Sequence, residues 1–493
     1  MLVLIIGVVS FVYMVYLWFE SKTSLLNLIP QPSTLPIIHH THHFLLEKDH
    51  IDLLERWGRQ FNSKGIFRIK TLLSDYGSLV IVLRPDIIKE VLSNPQKYVR
   101  SDFMHKYFPL LRHGLLDSTG ESHRFQKRLL GKAFALQYMK YYIPTFQKHV
   151  DILIKIWKDT VEDSPSGKNL DVKEYFNSMS FDIIGELGFG CQFNSQITST
   201  HPFVEAYKQI SCGILSFRSR LILGLFPFMW YMPFGPARKW KDAMQVSEKI
   251  LNKVVEKRKE KIAANDLTQE ERSDILSIMM MEKDEKTGKG FTDDLVKANA
   301  FTFLLAGHET TATTLPGVLL FLAKYQHCQE KAREEINEKL TSSELTSESI
   351  NSLVYTSAFL KECVRLFPAV PFEGRDVVED CTVAGYKIPK GTGIYCLNLT
   401  MNKYAECFDN PEEFMPERYI EGSGIKNGTI LSFGYGPYNC IGKNFAMQEM
   451  KVVLVRLLQN FRFEVDSENL NFYKRTMLTI NLFPSVKIRV IKL

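Results

Sequence analysis

The chain has 493 residues, of which 45% are hydrophobic, and its formal net charge is +6. This length allows about two or three ordinary domains or one large enzyme fold, and the apolar fraction is enough to bury a large core. Lysine and arginine form no dense patch, which argues against a nucleic-acid partner, and the mild basic excess suits an anionic membrane surface or an acidic redox partner. The eight cysteines contain no C-x-x-C pair, so we expect no disulfide framework or zinc site and a catalytic part that faces the cytosol.

The first 20 residues predict a transmembrane anchor. Leu2–Phe19 carries no charge over 18 residues, which is about the minimum for a helix that crosses a bilayer core. A cleaved signal peptide is the alternative, but its basic n-region and small-residue cleavage site are both missing. We therefore predict an uncleaved anchor over residues 1–20, a proline-containing hinge over 21–38 and one large domain over 39–493.

Several local patterns follow in chain order. The run H-H-T-H-H at His39–His43 could suggest a metal site, but we predict a solvated surface stretch because no acidic partner surrounds it. Alternation within Ile66–Leu83 predicts a two-stranded hairpin, and helical periodicity dominates from there to Tyr355. The charged stretch from about Asn265 to Gly290 predicts an exposed connection around one short helix.

Two predicted helices carry polar residues that could be functional. On Gly120–Phe134, His123 and Lys127 stand four residues apart, so both could reach one carboxylate, although a solvated basic face is the alternative. The longest helical pattern, Phe291–Tyr325, contains A-G-H-E-T-T near its middle. A threonine hydroxyl that bonds a carbonyl one turn back would open this helix for water, and Pro316 is expected to kink it.

The C-terminal third is predicted to hold an ion pair and several strands. Glu362 and Arg365 are three residues apart and therefore adjacent on one helix face. The stretch after Cys381 predicts a sheet with turns at Gly385 and at Lys390-Gly391, and a final hairpin follows over Phe472–Val490.

The clearest motif is L-S-F-G-Y-G-P-Y-N-C-I-G, Leu431–Gly442, just before a helical pattern. Its glycines let the backbone pass close to a bulky, flat partner. A cysteine just before a helix start sits where the helix dipole favours the thiolate. From the residues alone, Cys440 could be a nucleophile, a metal ligand or half of a disulfide.

The spacing F-G-x-G-x-x-x-C-x-G resembles the haem-binding loop of the cytochrome P-450 family. Three further motifs occur in that family's order: the G-E-S-H helix, A-G-H-E-T-T, and E-x-x-R with a later P-E-R that contains Arg418. The resemblance covers nearly the whole chain after residue 30. It implies a mainly α fold with a small β-rich lobe around a buried haem, and it makes residues 39–493 a haem-thiolate monooxygenase domain.

The resemblance also implies a role for individual residues. Cys440 would be the axial ligand of a non-covalent haem b, and Glu309 and Thr310 would form an acid–alcohol pair that delivers protons. Glu362 and Arg365 would be buried and locked onto Arg418. The implied cofactor-binding residues besides Cys440 are Phe433, Gly434, Gly436, Tyr438, Gly442, His123, Lys127, Arg375 and Ala306.

Three positions depart from the family pattern at the haem propionates. Tyr438 replaces an arginine, His123 replaces a tryptophan, and Lys127 replaces an arginine. A phenol brings no charge, so we expect the contact at Tyr438 to be weaker than usual and an arginine there to slow haem loss. Arg375 would carry more of the propionate binding. Ala306 offers no nucleophile that could attach the haem covalently.

The implied reaction inserts one oxygen atom from O2 into a lipophilic substrate by hydroxylation or epoxidation. Electrons would come from an NADPH-cytochrome P-450 reductase, with cytochrome b5 as an optional second donor. The implied location is the endoplasmic reticulum membrane, with a single N-terminal anchor and the catalytic domain in the cytosol. Two alternatives are an isomerase or dehydratase of peroxides, in which the acid–alcohol pair tends to be lost, and a non-catalytic haem-binding protein.

Overall fold

The computed structural model describes residues 7–8, 11–15, 24–35, 38–72, 78–101, 108–198, 201–212, 217–232, 234–342, 344–420, 430–476 and 478–493. Most of the predicted anchor, Leu2–Phe19, lies outside these ranges. Among the helices that are described, none combines the length and the apolar character needed to span a bilayer. The predicted boundaries at residues 20 and 38 therefore stay predictions.

Helices dominate the described chain. They are α1 Thr41–Leu46, α2 His50–Gln60, α3 Pro85–Ser93, α4 Gly120–Leu130, α5 Leu136–Val161, α6 Val172–Phe189, α7 Pro202–Cys212, α8 Phe217–Leu225, α9 Gly235–Ala263, α10 Gln269–Ser273, α11 Ile275–Met281, α12 Asp293–Lys324, α13 Gln326–Lys339, α14 Ser347–Asn351, α15 Val354–Leu366, α16 Asn398–Met401 and α17 Lys443–Leu458. The charged connection before α12 contains two short helices, α10 and α11, where the sequence predicted one. Asp274 caps the second of them by accepting a bond from the Ser277 N–H.

The described strands are short and form four small sheets. They are β1 Ile66–Lys70, β2 Ser78–Val82, β3 Tyr98–Arg100, β4 Lys168–Asp171, β5 Glu373–Val377, β6 Cys381–Val383, β7 Tyr386–Ile388, β8 Gly393–Cys396, β9 Phe461–Glu464, β10 Tyr473–Thr476, β11 Ile480–Phe483 and β12 Lys487–Lys492. The largest sheet has the order β1-β2-β8-β5-β3, and a second has the order β4-β12-β9. The pairs β6-β7 and β10-β11 are separate hairpins.

The strand predictions are confirmed in part. The hairpin within Ile66–Leu83 forms as β1 and β2. The sheet predicted after Cys381 divides, because β8 leaves the β6-β7 hairpin and pairs in parallel with β2 and antiparallel with β5. Its residues 393–396 contain two fully buried side chains, Ile394 and Cys396. This strand therefore belongs to the core of the larger sheet.

The central helix α12 confirms the longest predicted helix. Thr292 is its N-cap and accepts a bond from the Leu295 N–H at 3.4 Å. Its side chains are buried on all sides over most of its length, as expected for a helix in the core of a large protein. Helix α6 packs so closely that a Cβ at Gly307 would lie 2.8 Å from a methyl carbon of Ile184. The helix continues through Pro316 to Lys324.

The histidine run is not the solvated stretch that the sequence predicted. His40 is fully buried, and its Nδ1 accepts a bond from the Lys70 N–H at 3.0 Å. Its Nε2 lies 3.1 Å from the Pro32 carbonyl oxygen, and burial lowers the pKa of His40 to about 4. The ring therefore ties the preceding proline-containing segment to β1. Within the described ranges, no cluster of three His, Cys, Asp or Glu side chains could hold a metal ion.

The predicted ion trio is present and fully buried. Glu362 accepts two bonds of 2.8 Å from Arg365 and one of 3.0 Å from Arg418, and all three side chains are 0% exposed. Both guanidinium groups also donate to backbone carbonyls of residues 402–413. The trio therefore fixes the irregular segment before the cysteine loop to α15.

Candidate active site

A cavity of about 610 Å³ lies between the central helix and the cysteine loop. Its walls include residues of α2, β1, β2, β3, α4, α12, β5, β8, the loop before α17 and the β10-β11 turn. Most of the lining is apolar and includes Leu54, Ile69, Ile81, Leu115, Phe134, Leu305, Val370, Phe372, Leu397, Phe445 and Leu478. Such a lining binds apolar molecules and excludes water.

The loop before α17 brings Cys440 to this cavity. The Cys440 N–H donates to the Phe433 carbonyl at 2.8 Å and closes the loop. Gly434 has φ 73° and Gly436 has φ 71°, in the left-handed region that glycine adopts without strain. A Cβ at Gly436 would lie 2.3 Å from the Leu92 carbonyl oxygen. These two glycines are therefore required by the backbone path.

The cysteine side chain is exposed to the cavity although it lies deep inside the protein. Burial raises the pKa of the Cys440 thiol, while the Gly442 N–H and the Lys127 charge lower it. The net result is a raised pKa of the Cys440 thiol. The sequence predicted the opposite, because a cysteine just before a helix was expected to have a lowered pKa. A thiol in this setting ionises when it coordinates a metal ion, which deprotonates it outright.

Helix α12 contributes the predicted acid and alcohol to the same cavity. Ala306, Glu309 and Thr310 all line it. The Thr310 hydroxyl donates to the Ala306 carbonyl at 2.8 Å, which is the bond one turn back that the sequence predicted. Burial raises the pKa of Glu309, and hydrogen bonds from Thr479 and Tyr207 together with the Lys173 charge oppose that shift.

Two arginines stand opposite each other beside the cysteine loop. Arg100 on β3 is the direct cross-strand partner of Arg375 on β5, and both line the cavity. Arg375 is paired with Glu373 at 2.9 Å, whereas Arg100 donates to the carbonyls of Leu115 and Leu116 at 2.6 and 2.8 Å. Like charges placed directly across a strand pair are destabilising unless an anion compensates them.

Tyr438 lies between these two guanidinium groups. Its ring centroid is 4.4 Å from the Arg100 guanidinium carbon and 5.3 Å from that of Arg375, within cation–π range. The His123 ring meets it edge-on, with centroids 4.5 Å apart. Among the described residues, no hydrogen-bond partner lies near the buried Tyr438 hydroxyl or the Arg375 Nε. Arg100 therefore places a cation beside position 438.

His123 and Lys127, the other two residues that depart from the family pattern, have roles different from those expected. Burial, with the Arg100 and Lys127 charges, lowers the pKa of His123 to about 3, so this ring is neutral. Lys127 donates to the Pro437 and Asn439 carbonyls at 2.6 and 2.9 Å. It thus holds the cysteine loop against α4. His123 and Lys127 both line the cavity, yet Lys127 is committed to backbone oxygens.

These residues fit a haem on the evidence of their own chemistry. A cysteine sulfur faces the cavity, and three cationic groups from Arg100, Arg375 and Lys127 lie near its loop. The buried Tyr438 hydroxyl and Arg375 Nε have hydrogen-bonding capacity left, which the two propionates of haem can use. Arg100 belongs to no sequence motif, so its place in the site was not predicted. Its pairing with Arg375 across β3 and β5 is what brings it to the site.

The fold and the site together define a haem-thiolate protein. The family model for cytochrome P450 matches residues 30–488, and the chain therefore belongs to the cytochrome P450 family. The predicted family, the mainly α fold, the thiolate-ligated haem and the monooxygenase class are all confirmed.

Three of the similar proteins are cytochromes P450 from animals. Cytochrome P450 4d1 of Drosophila melanogaster is 27% identical, over 92% of this chain and 90% of that protein. Cytochrome P450 4V2 of Homo sapiens is 28% identical over 76% and 73%, and cytochrome P450 3A41 of Mus musculus is 29% identical over 88% and 85%. The crystal structure of the cytochrome P450DA heme domain has the same fold, with a TM-score of 0.81 over 94% of this chain and 98% of that one, at 23% identity.

We expect Tyr438→Phe to speed haem loss by about threefold to tenfold, because the phenol can donate one hydrogen bond to a haem carboxylate. The phenyl ring keeps the cation–π contacts with both arginines, so Tyr438→Leu should lose haem faster still. Transfer of haem to an apo-globin acceptor measures the rates. An unchanged rate for Tyr438→Phe would show that the hydroxyl does not contact the cofactor.

Two guanidinium groups already stand beside position 438. Tyr438→Arg would remove the aromatic ring and place a third guanidinium beside Arg100 and Arg375. The added repulsion destabilises the protein without haem, and the two propionate charges would offset it when haem binds. We therefore keep the expectation that Tyr438→Arg slows haem loss by about tenfold or less in the same transfer assay, and unchanged or faster loss would contradict it.

Proposed function

We propose that Cys440 is the axial thiolate ligand of the haem and that Glu309 and Thr310 deliver the protons of the monooxygenase reaction. The observation that carries this proposal is that one apolar cavity is lined by Cys440 from the loop and by the acid and the alcohol from α12. The bound haem iron would supply the activation of O2. The substrate would be a lipophilic molecule that undergoes hydroxylation or epoxidation.

The residues of α12 are suited to moving a proton inside a dry cavity. The Thr310 hydroxyl donates to the Ala306 carbonyl, which leaves its two lone pairs free to accept a bond from a water or a reactant. Glu309 follows directly in the chain, and burial keeps its pKa above the ordinary value. A carboxyl group next to a hydroxyl group on the wall of one cavity can act as a general acid for a reactant bound there.

We expect Thr310→Ala to uncouple the enzyme. Without the hydroxyl, a proton donor is no longer held at this point of the cavity, so product per NADPH should fall by about tenfold or more while hydrogen peroxide per NADPH rises. Assays of NADPH, O2, peroxide and product with a cognate reductase measure this partition. The matched control is Thr302→Ala, because the Thr302 hydroxyl makes the same bond to the Ala298 carbonyl at 2.8 Å on the same helix.

Coupling that stays at the wild-type value in Thr310→Ala would rule out the proposed role of this residue. The same assays separate the alternatives for the whole protein. An isomerase or dehydratase of peroxides would turn over without NADPH, and a haem-binding protein would consume neither NADPH nor O2.

We further propose that electrons come from an NADPH-cytochrome P-450 reductase, with cytochrome b5 as an optional second donor. The support is electrostatic: the chain has a formal net charge of +6, and Lys443 begins α17 just after the cysteine loop. Basic residues near the cysteine side of the haem would attract an acidic partner. The rate of reduction should then fall as ionic strength rises, and a rate independent of salt would contradict this partner surface.

We also propose that the protein works at the endoplasmic reticulum membrane, with its catalytic domain in the cytosol. The support is an exposed apolar patch on α8 and the segment after it, where Phe228, Tyr231 and Phe234 are 57%, 85% and 65% exposed. Leu46 of α1, which packs against α8, is 80% exposed. A patch of this kind suits burial in a lipid surface. Sedimentation of the full chain with phospholipid vesicles tests the proposal, and protein that stays in the supernatant would contradict it.

A further inference from the structure

Glu309 is held by a hydroxyl group from the far end of the chain. Thr479 lies in the turn between β10 and β11, and its Oγ1 donates to Glu309 Oε1 at 2.9 Å. Tyr207 on α7 donates to the other carboxyl oxygen at a longer 3.4 Å. Thr479 is fully buried, and a hydrogen bond to a carboxylate is strong where water is excluded. Thr479 is therefore the main partner that fixes the acid.

The other neighbours of Thr479 do not take up its hydroxyl proton, which is therefore available for the bond to Glu309. Asn481 Nδ2 donates to Thr479 Oγ1 at 3.4 Å, and the Thr313 hydroxyl lies 3.0 Å from the same oxygen. An amide N–H can only donate, and the one proton of the Thr479 hydroxyl is used in its bond to Glu309 Oε1. Thr479 thus accepts from Asn481 and Thr313 and gives its proton to Glu309.

The turn that carries Thr479 is anchored on two sides. The Ile480 N–H donates to the Ala369 carbonyl at 2.9 Å, and Lys173 on α6 donates to Asn481 Oδ1 at 2.6 Å. The Thr310 hydroxyl, in contrast, bonds the Ala306 carbonyl and does not hold the acid. The position of the Glu309 carboxyl group is consequently set by the C-terminal hairpin.

We propose that Thr479 is a positioning residue for Glu309, which it holds in the cavity wall at the orientation needed for proton delivery. This inference rests on the proposed role of the Glu309–Thr310 pair. The bond between Thr479 and Glu309 would link the reaction to substrate binding, because Leu478 in the same turn as Thr479 also lines the cavity. A substrate that packs against Leu478 therefore contacts the turn that fixes the acid.

Thr479→Val tests the proposal, since valine matches threonine in shape and lacks the hydroxyl. We expect product per NADPH to fall by about twofold to tenfold, with substrate affinity, measured from the Soret shift, within about twofold of the wild type. Thr479→Ser keeps the hydroxyl and should restore the coupling. A serine variant as poorly coupled as the valine variant would overturn the proposal in favour of a packing role.

The double variant with Glu309→Gln separates this inference from the function on which it rests. If Thr479 acts through Glu309, Thr479→Val should lower the coupling of Glu309→Gln by no more than about 1.5-fold, because effects on one interacting pair are not additive. A full additional loss would overturn the inference. If Glu309→Gln alone couples normally, the proposed role of the acid fails; if it uncouples and Thr479→Val does not, only the role of Thr479 fails.

Discussion

Cys440→Ala is expected to abolish the absorption band characteristic of thiolate-ligated haem in the reduced, CO-bound protein. Cys440 is the cysteine that lines the cavity, and an alanine methyl group cannot coordinate iron. The loop should still fold, because the Cys440 N–H bond to Phe433 and the conformations of Gly434 and Gly436 involve only the backbone. The difference spectrum of the reduced protein with CO gives the readout.

The matched control for this variant is Cys191→Ala. Cys191 is also free and partly exposed, and it follows α6 at a distance in sequence from the cysteine loop. Its replacement should leave the band at full height. A Cys440→Ala protein that retained the band would remove the basis for every site assignment made above.

Glu362→Ala is expected to lower the free energy of unfolding by about 3–5 kcal/mol, because it leaves two buried guanidinium groups without their carboxylate. Arg365 and Arg418 are both 0% exposed, so water cannot replace the lost partner. Removal of Glu362 also takes away the acceptor of the Met415 N–H, which lies 2.9 Å from it. The midpoint of urea unfolding, followed by circular dichroism and haem absorbance, measures the change.

An exposed pair with the same spacing provides the control. Glu121 and Arg124 are also three residues apart on a helix, at 3.3 Å, but their side chains are 94% and 59% exposed. Because solvent screens the two charges, such a pair contributes about 0–1 kcal/mol to the free energy of unfolding. Glu121→Ala should therefore hardly move the midpoint. Equal shifts in the two variants would show that burial of the trio does not strengthen it.

Local patterns predicted the main elements of the site because their information lies within short stretches of sequence. The spacing of glycines around Cys440 and the threonine bond to Ala306 each depend on residues only a few positions apart. The E-x-x-R pair was also visible as a helix-face neighbour. The threonine bond and the ion pair are both present in the structure.

Contacts between distant segments could not be predicted in the same way. Arg100 reaches Arg375 only through the pairing of β3 with β5, and Thr479 reaches Glu309 across 170 positions. Burial also changed the chemistry of His40, which looked like part of a solvated run. Strand register and depth are properties of the assembled fold, and no single-sequence pattern reports them.

The arrangement of Arg100, Arg375 and Lys127 has a consequence for how the protein acquires its cofactor. The haem propionates would act as counter-ions for this positive cluster, so cofactor binding would relieve a repulsion that folding of the polypeptide creates. Assembly should accordingly weaken at high salt. Because a ligand that binds only the folded state stabilises it by about 4 kcal/mol at a thousand times its dissociation constant, the amount of folded protein in a cell would follow the haem supply.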